Sequence, residues 1–161
     1  MREIRSEIDI RAPPERVWEI LTRFEEYPEW NPFLTIEPGE LAAGAHLVVT
    51  IRPEGTPSAT FRSTVEVARA PAELQWIGRL GVPGLFDGRH RFQLVPLADG
   101  RTHFVQSESF RGLFVGAAFY FGVGESTQRG FDRMNEALRR RAEGTAAPPS
   151  SSTRNDSVRP G

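Results

Sequence analysis

Ile4, Ser6, Ile8 and Ile10 alternate with Arg5, Glu7, Asp9 and Arg11. That period of two predicts a half-buried strand at the start of the chain. Ala12-Pro13-Pro14 then leads into Glu15-Arg16-Val17-Trp18-Glu19-Ile20-Leu21, a short helix entered through proline and ending near Thr22. A helical turn is expected near Phe24–Tyr27. The segment Phe24-Glu25-Glu26-Tyr27-Pro28-Glu29-Trp30-Asn31-Pro32-Phe33 carries two prolines, so no long helix or central strand is expected to run through it. It also carries Phe24, Tyr27, Trp30 and Phe33. So much aromatic area on irregular backbone must pack on something, which predicts an anchored loop.

Alternating runs fill the middle of the chain. His46–Arg52 puts Leu47, Val49 and Ile51 on one face. Phe61, Ser63, Val65 and Val67 share a face of the next strand, opposite Arg62, Thr64 and Glu66. Ala70-Pro71-Ala72 turns the chain into Leu74–Arg79, where Leu74 and Trp76 align. Arg89–Leu97 and Thr102–Phe110 flank Ala98-Asp99-Gly100, a strong hairpin signal. Arg52–Thr60 and Gly78–Gly88 read as loops, the second exposing Leu80, Val82, Leu85 and Phe86 as an entrance or partner surface. Leu113–Arg141 predicts one long helix, with Ala117, Tyr120, Gly124, Gln128, Phe131, Asn135 and Leu138 at helical spacing. The glycines at Gly122-Val123-Gly124 mark a kink or a close approach. From Glu143 to Gly161 the residues are mostly Ala, Pro, Ser, Thr and charges, with Val158 the only sizeable apolar one, which predicts a disordered tail after a domain of residues 1–142.

Strand, Pro-entered helix with Val17-Trp18, the Phe24–Phe33 segment, a run of strands and a long last helix resemble the START/Bet v 1-like (SRPBCC) superfamily. The chain is most similar to its polyketide cyclase/dehydrase-type branch, over roughly residues 1–142. The resemblance implies an α+β, helix-grip fold. An antiparallel sheet of six to seven strands wraps around the long C-terminal helix, with two short helices after the first strand. It also implies an apolar cavity between sheet and helix, expected to reach at least ~300 Å³. It does not imply a reaction, because fold-mates bind, carry or transform different ligands.

Composition narrows the chemistry. All twenty basic residues are Arg, and the net charge is −1. Arg139-Arg140-Arg141 is the one basic run and reads as cations at a helix C-terminus, so no nucleic-acid partner is expected. Zero Cys excludes thiolate nucleophiles and thiolate metal sites, and the absence of Lys excludes a Schiff base. No phosphate or dinucleotide loop and no nucleophile elbow appears. Three scattered histidines do not make a metal site, and no cofactor is expected. The start lacks a signal peptide's apolar core and no stretch reaches a membrane span, so the cytoplasm is the default address.

The hairpin places the polar candidates. With Leu97 and Arg101 flanking the turn, facing residues sum to about 198. His90 then opposes Glu108, Phe92 opposes Gln106 and Leu94 opposes Phe104, and all share a face with Phe110. Their apolar members turn that face inward, which sets His90, Gln106 and Glu108 in an apolar wall. Glu108 would orient His90, and His90 would face a ligand or transfer a proton. The plain alternative is a satisfied His–Glu hydrogen bond at the cavity rim. His46 and His103 are expected outside. Phe61, Trp76, Tyr120 and Phe121 complete the candidate lining, each with core packing as its alternative. Trp30 is expected to plug the core under the short helices.

Three functions follow. The first is binding a small hydrophobic molecule, lipid-like, aromatic or polyketide-like as the resemblance implies. The second is a cyclase, dehydratase or aromatase with His90 as acid–base and Glu108 as its orienter. The third is an interaction module whose apolar Leu113–Phe121 surface forms a homodimer or docks on a partner or membrane.

Overall fold

The computed structural model describes residues 1–55 and 57–144. The alternating runs become a single antiparallel sheet. Its strands are β1 (Arg2–Ile10), β2 (Leu34–Ile36), β3 (His46–Ile51), β4 (Ala59–Arg69), β5 (Glu73–Arg79), β6 (Asp87–Pro96) and β7 (Thr102–Arg111). Their spatial order is β1-β7-β6-β5-β4-β3-β2. Six of the seven follow the expected alternation. β2 was not expected, because three residues after Asn31-Pro32-Phe33 are too few to show a period.

The hairpin register is the one the Asp-Gly turn predicts: His90 opposes Glu108, Phe92 opposes Gln106 and Leu94 opposes Phe104. One expectation of facing fails. The register shifts between Val65 and Val67, so Val67 pairs with Gln75, and Ala68, paired with Leu74, packs on the core instead. A bulge adds one residue to the strand and reverses the parity beyond it.

Helices α1 (Pro14–Thr22) and α2 (Tyr27–Trp30) follow β1, with a 3-10 turn at Phe24–Glu26 between them. Pro28 sits in the first turn of α2, where a missing N–H costs no helical bond. The Asn31 side-chain oxygen accepts from the Phe33 and Leu34 amides, both at 3.0 Å, and so turns the chain into β2. The Tyr27 hydroxyl donates to the Leu21 carbonyl at 2.7 Å, and Trp30 packs edge-on against Tyr27. Trp30 is half-buried and packs against the core.

The long helix is interrupted. It runs as α3 (Val115–Tyr120) and α4 (Val123–Ala142), with Gly122 between them at φ 89°. Glycine takes that left-handed conformation without a Cβ penalty. The expected single stripe therefore fails in its first half: Tyr120 and Phe121 are 84% and 80% exposed. Phe131, Asn135 and Leu138 of α4 do face the sheet, with Met134. Arg141 ties the end of α4 to Glu26 at 2.6 Å and Glu29 at 3.0 Å. Glu143 accepts from the Arg11 amide at 2.9 Å. The rest of the expected tail, from residue 145, lies outside the described residues.

Candidate functional site

The curved sheet and the two-part helix do not close completely on each other. Between them lies a cavity of about 760 Å³, within the range of small-molecule sites. Its floor is the inner face of β3 to β7, with Val49, Phe61, Trp76, His90 and Phe110. Phe33 closes one side and Ala117, Ala118 and Val123 the other. Pro53, Pro57, Leu80, Leu85, Phe86 and Phe114 surround the mouth. Both expected loops thus border the entrance.

The expected lining divides into three groups. Phe61, Trp76, His90, Glu108 and Phe110 line the cavity. Phe92, Leu94, Phe104 and Gln106 share the inner face but lie in solid core, where α4 packs on the sheet through Phe131, Met134 and Leu138. Tyr120 and Phe121 are outside it, because the break at Gly122 turns the end of α3 away. They join Leu80, Val82, Leu113 and Phe114 as exposed apolar side chains. Phe119, by contrast, is partly covered against Phe110 at 5.2 Å between ring centroids.

His90 is 4% exposed and held from several sides. Its ring stacks on Trp76 at 4.5 Å and 10° between planes. Phe92 and Phe131 meet it edge-on at 4.8 and 5.2 Å. Nε2 lies 3.3 Å from Gln106 Nε2, whose amide also donates to Met134 Sδ at 3.5 Å. A donor at Nε2 makes that nitrogen the acceptor and assigns the ring proton to Nδ1. Nδ1 faces Glu108 Oε2 at 3.6 Å. That is ion-pair range for a protonated ring and too long for a hydrogen bond. The expectation that Glu108 orients His90 is therefore corrected: Gln106 and Trp76 hold the ring, and Glu108 stands beside it at the cavity wall.

Sequence reasoning missed several lining residues. Gly78 and Gly88 lie inside strands, where a glycine signals close approach of another group, a signal that was available. Phe33, Ser126 and Thr127 line the cavity through tertiary packing alone. His46 is exposed, and His103 bonds Asp9 at 2.7 Å across the outer face. Among the described residues no group of side chains could hold a metal ion, and no helix is long and apolar enough to cross a membrane.

A layer of seven antiparallel strands gripping a C-terminal helix around an apolar cavity defines the helix-grip class. The family model for polyketide cyclase/dehydrase and lipid transport matches residues 1–143, and the chain belongs to that family. Among solved structures, the Zhui aromatase/cyclase of a Streptomyces species is similar at TM-score 0.70 and 17% identity, over 88% of this chain and 93% of that one. A START superfamily protein from Mycobacterium smegmatis is similar at TM-score 0.66 and 21% identity, over 89% and 99%. A Thermus thermophilus protein is similar at TM-score 0.69 and 17% identity, over 91% and 100%. At these identities the likeness is one of fold. No curated protein matches the chain.

Proposed function

We propose that the chain binds a small, largely apolar molecule, lipid-like, aromatic or polyketide-like, in the cavity between sheet and helix. The observation that carries this reading is the cavity of about 760 Å³, walled by Phe33, Phe61, Trp76 and Phe110 and rimmed by apolar loops. A solid core would stabilise the fold better, since each unfilled methylene-sized space forfeits contacts. The test is native mass spectrometry of the purified protein for retained ligand, with displacement by N-phenyl-1-naphthylamine. Stoichiometric binding that Ala118→Trp abolishes supports the reading. Binding unaffected by filling the cavity overturns it.

A second reading is an acid–base enzyme of the cyclase, dehydratase or aromatase type. It is favoured by His90 and Glu108 standing side by side at the wall, 3.6 Å apart, on a fold shared with an aromatase/cyclase. Turnover of a poly-β-keto substrate analogue, lost in His90→Gln with binding intact, would support it; equal turnover in that variant would remove it. The interaction reading, a homodimer or docking through Leu113–Phe121, rests on the exposure of Leu113, Phe114, Tyr120 and Phe121. Sedimentation as a monomer unchanged by Phe121→Ser removes the homodimer.

A further inference from the structure

Two glycines face each other in the middle of the cavity floor. Gly78 of β5 and Gly88 of β6 are cross-strand partners, in a row that runs Ser63, Gly78, Gly88, Phe110 across four strands. With no side chain at either, the sheet has a bare notch. Two polar groups lean over it from opposite sides. A Cβ at Gly78 would stand 3.1 Å from Ser63 Oγ, and one at Gly88 would stand 2.6 Å from Glu108 Oε1.

Among the described residues neither group has a hydrogen-bond partner. Ser63 is 1% exposed, and its Oγ is unpaired among those residues. A buried hydroxyl left unpaired is costly, and a partner supplied by a ligand removes that cost. The Glu108 carboxylate has His90 Nδ1 at 3.6 Å and no arginine within ion-pair distance among the described residues. Both residues line the cavity.

We propose, on the reading of the cavity as a ligand site, that this notch is a subsite for a hydroxyl or phenol group of the apolar ligand. An ionised carboxylate only accepts, so the ligand group must donate to Glu108. The serine hydroxyl can donate to a further ligand oxygen over Gly78. A hydroxyl meets Glu108; a carbonyl satisfies Ser63 and leaves Glu108 unmet; a carboxylate is repelled by Glu108. The two bare positions are about 5 Å apart, as directly opposed positions in a sheet are, and Ser63 and Glu108 flank them from opposite sides, so the ligand hydroxyl sits over Gly88, within reach of Glu108. The subsite therefore selects hydroxylated aromatic or sterol-like molecules over fatty acids.

The test titrates the full chain with 2-naphthol, 2-methoxynaphthalene and 2-naphthoate, read by calorimetry. In the wild-type protein 2-naphthol is expected to bind about tenfold or more tightly than its methyl ether, the scale of a hydrogen bond to a charged acceptor. The carboxylate is expected to bind more weakly than either. Glu108→Gln should shrink the naphthol-to-ether ratio, since the charged acceptor is the group that the ether cannot meet. Equal binding of naphthol and ether to the wild type overturns the subsite and leaves the cavity reading standing. Binding of none of the three overturns both. The wild-type comparison needs no variant to fold.

Discussion

Phe33 lays its ring against the bare Cα of Gly130, closer than any side chain on that residue would permit. The contact joins the end of the aromatic loop to the middle of α4 and places Phe33 edge-on to Phe131 at 5.8 Å. It explains why a helix tolerates glycine at a buried position. The same phenyl ring then forms one side of the cavity.

Gly130→Ala is expected to force this contact apart. Overpacking of this kind costs about 1–3 kcal/mol, well beyond the gain of up to about 1 kcal/mol that alanine brings to a helix interior. Thermal unfolding should show a lower midpoint, with partial recovery in the double variant Gly130→Ala/Phe33→Leu. An unchanged or raised midpoint would mean that the ring moves freely.

Gln106 should set the His90 tautomer. In the wild-type protein, nitrogen–proton correlation spectra should place the ring proton on Nδ1, because the Gln106 amide donates to Nε2 at 3.3 Å. Gln106→Leu removes that donor from a buried site and is expected to cost about 1–3 kcal/mol. The wild-type spectrum should show no Nε2–H tautomer. Finding that tautomer in the wild type instead would reverse the assignment.

Burial pushes the Tyr27 phenol far above its ordinary value of 10.0. The folded chain thus holds that proton more tightly than the unfolded chain does. The contribution is full below pH 10 and is lost progressively as pH rises beyond it, because the unfolded chain gains by ionising. Tyr27→Phe should lose about 1 kcal/mol at neutral pH with the bond to Leu21, and lose less on going alkaline than the wild type. Denaturant unfolding at both pH values measures this. A phenol that ionises near pH 10 with the fold intact would contradict it.

On the outer face, Arg89 grips Glu66 with two hydrogen bonds, at 2.6 and 2.9 Å. These hold the Glu66 carboxyl below its ordinary 4.5. A lowered folded value gives stability that is present above 4.5 and lost as pH falls through the folded value. The pair is partly exposed, so a double-mutant cycle at neutral pH should give a coupling of about 0.2–1 kcal/mol, vanishing at low pH. Coupling that persists after the carboxyl is protonated would show that packing rather than charge joins the two.

Local pattern determined a good deal by itself. Period-two alternation laid out six strands, and the Asp99-Gly100 turn set the His90–Glu108 register, because hairpin geometry is decided by the turn and its immediate flanks. Proline and aromatic placement announced the anchored loop from Phe24 to Phe33. The resemblance carried by those residues supplied the helix grip.

The tertiary structure decided the rest. The bulge after Val65 reverses the strand's parity, since one added residue exchanges its faces. Gly122 adopts a left-handed conformation that residue type permits but does not compel, and so Tyr120 and Phe121 leave the cavity. Whether an inward aromatic lines empty space or solid core depends on what the opposite element brings: Phe92 and Phe104 lie in core packed by α4, whereas Phe61 and Phe110 border the cavity. Gln106 became the partner of His90 because both lie buried on the inner face of the sheet. A facing pair in a register is a statement about backbone, while a hydrogen bond is decided by side-chain direction and packing.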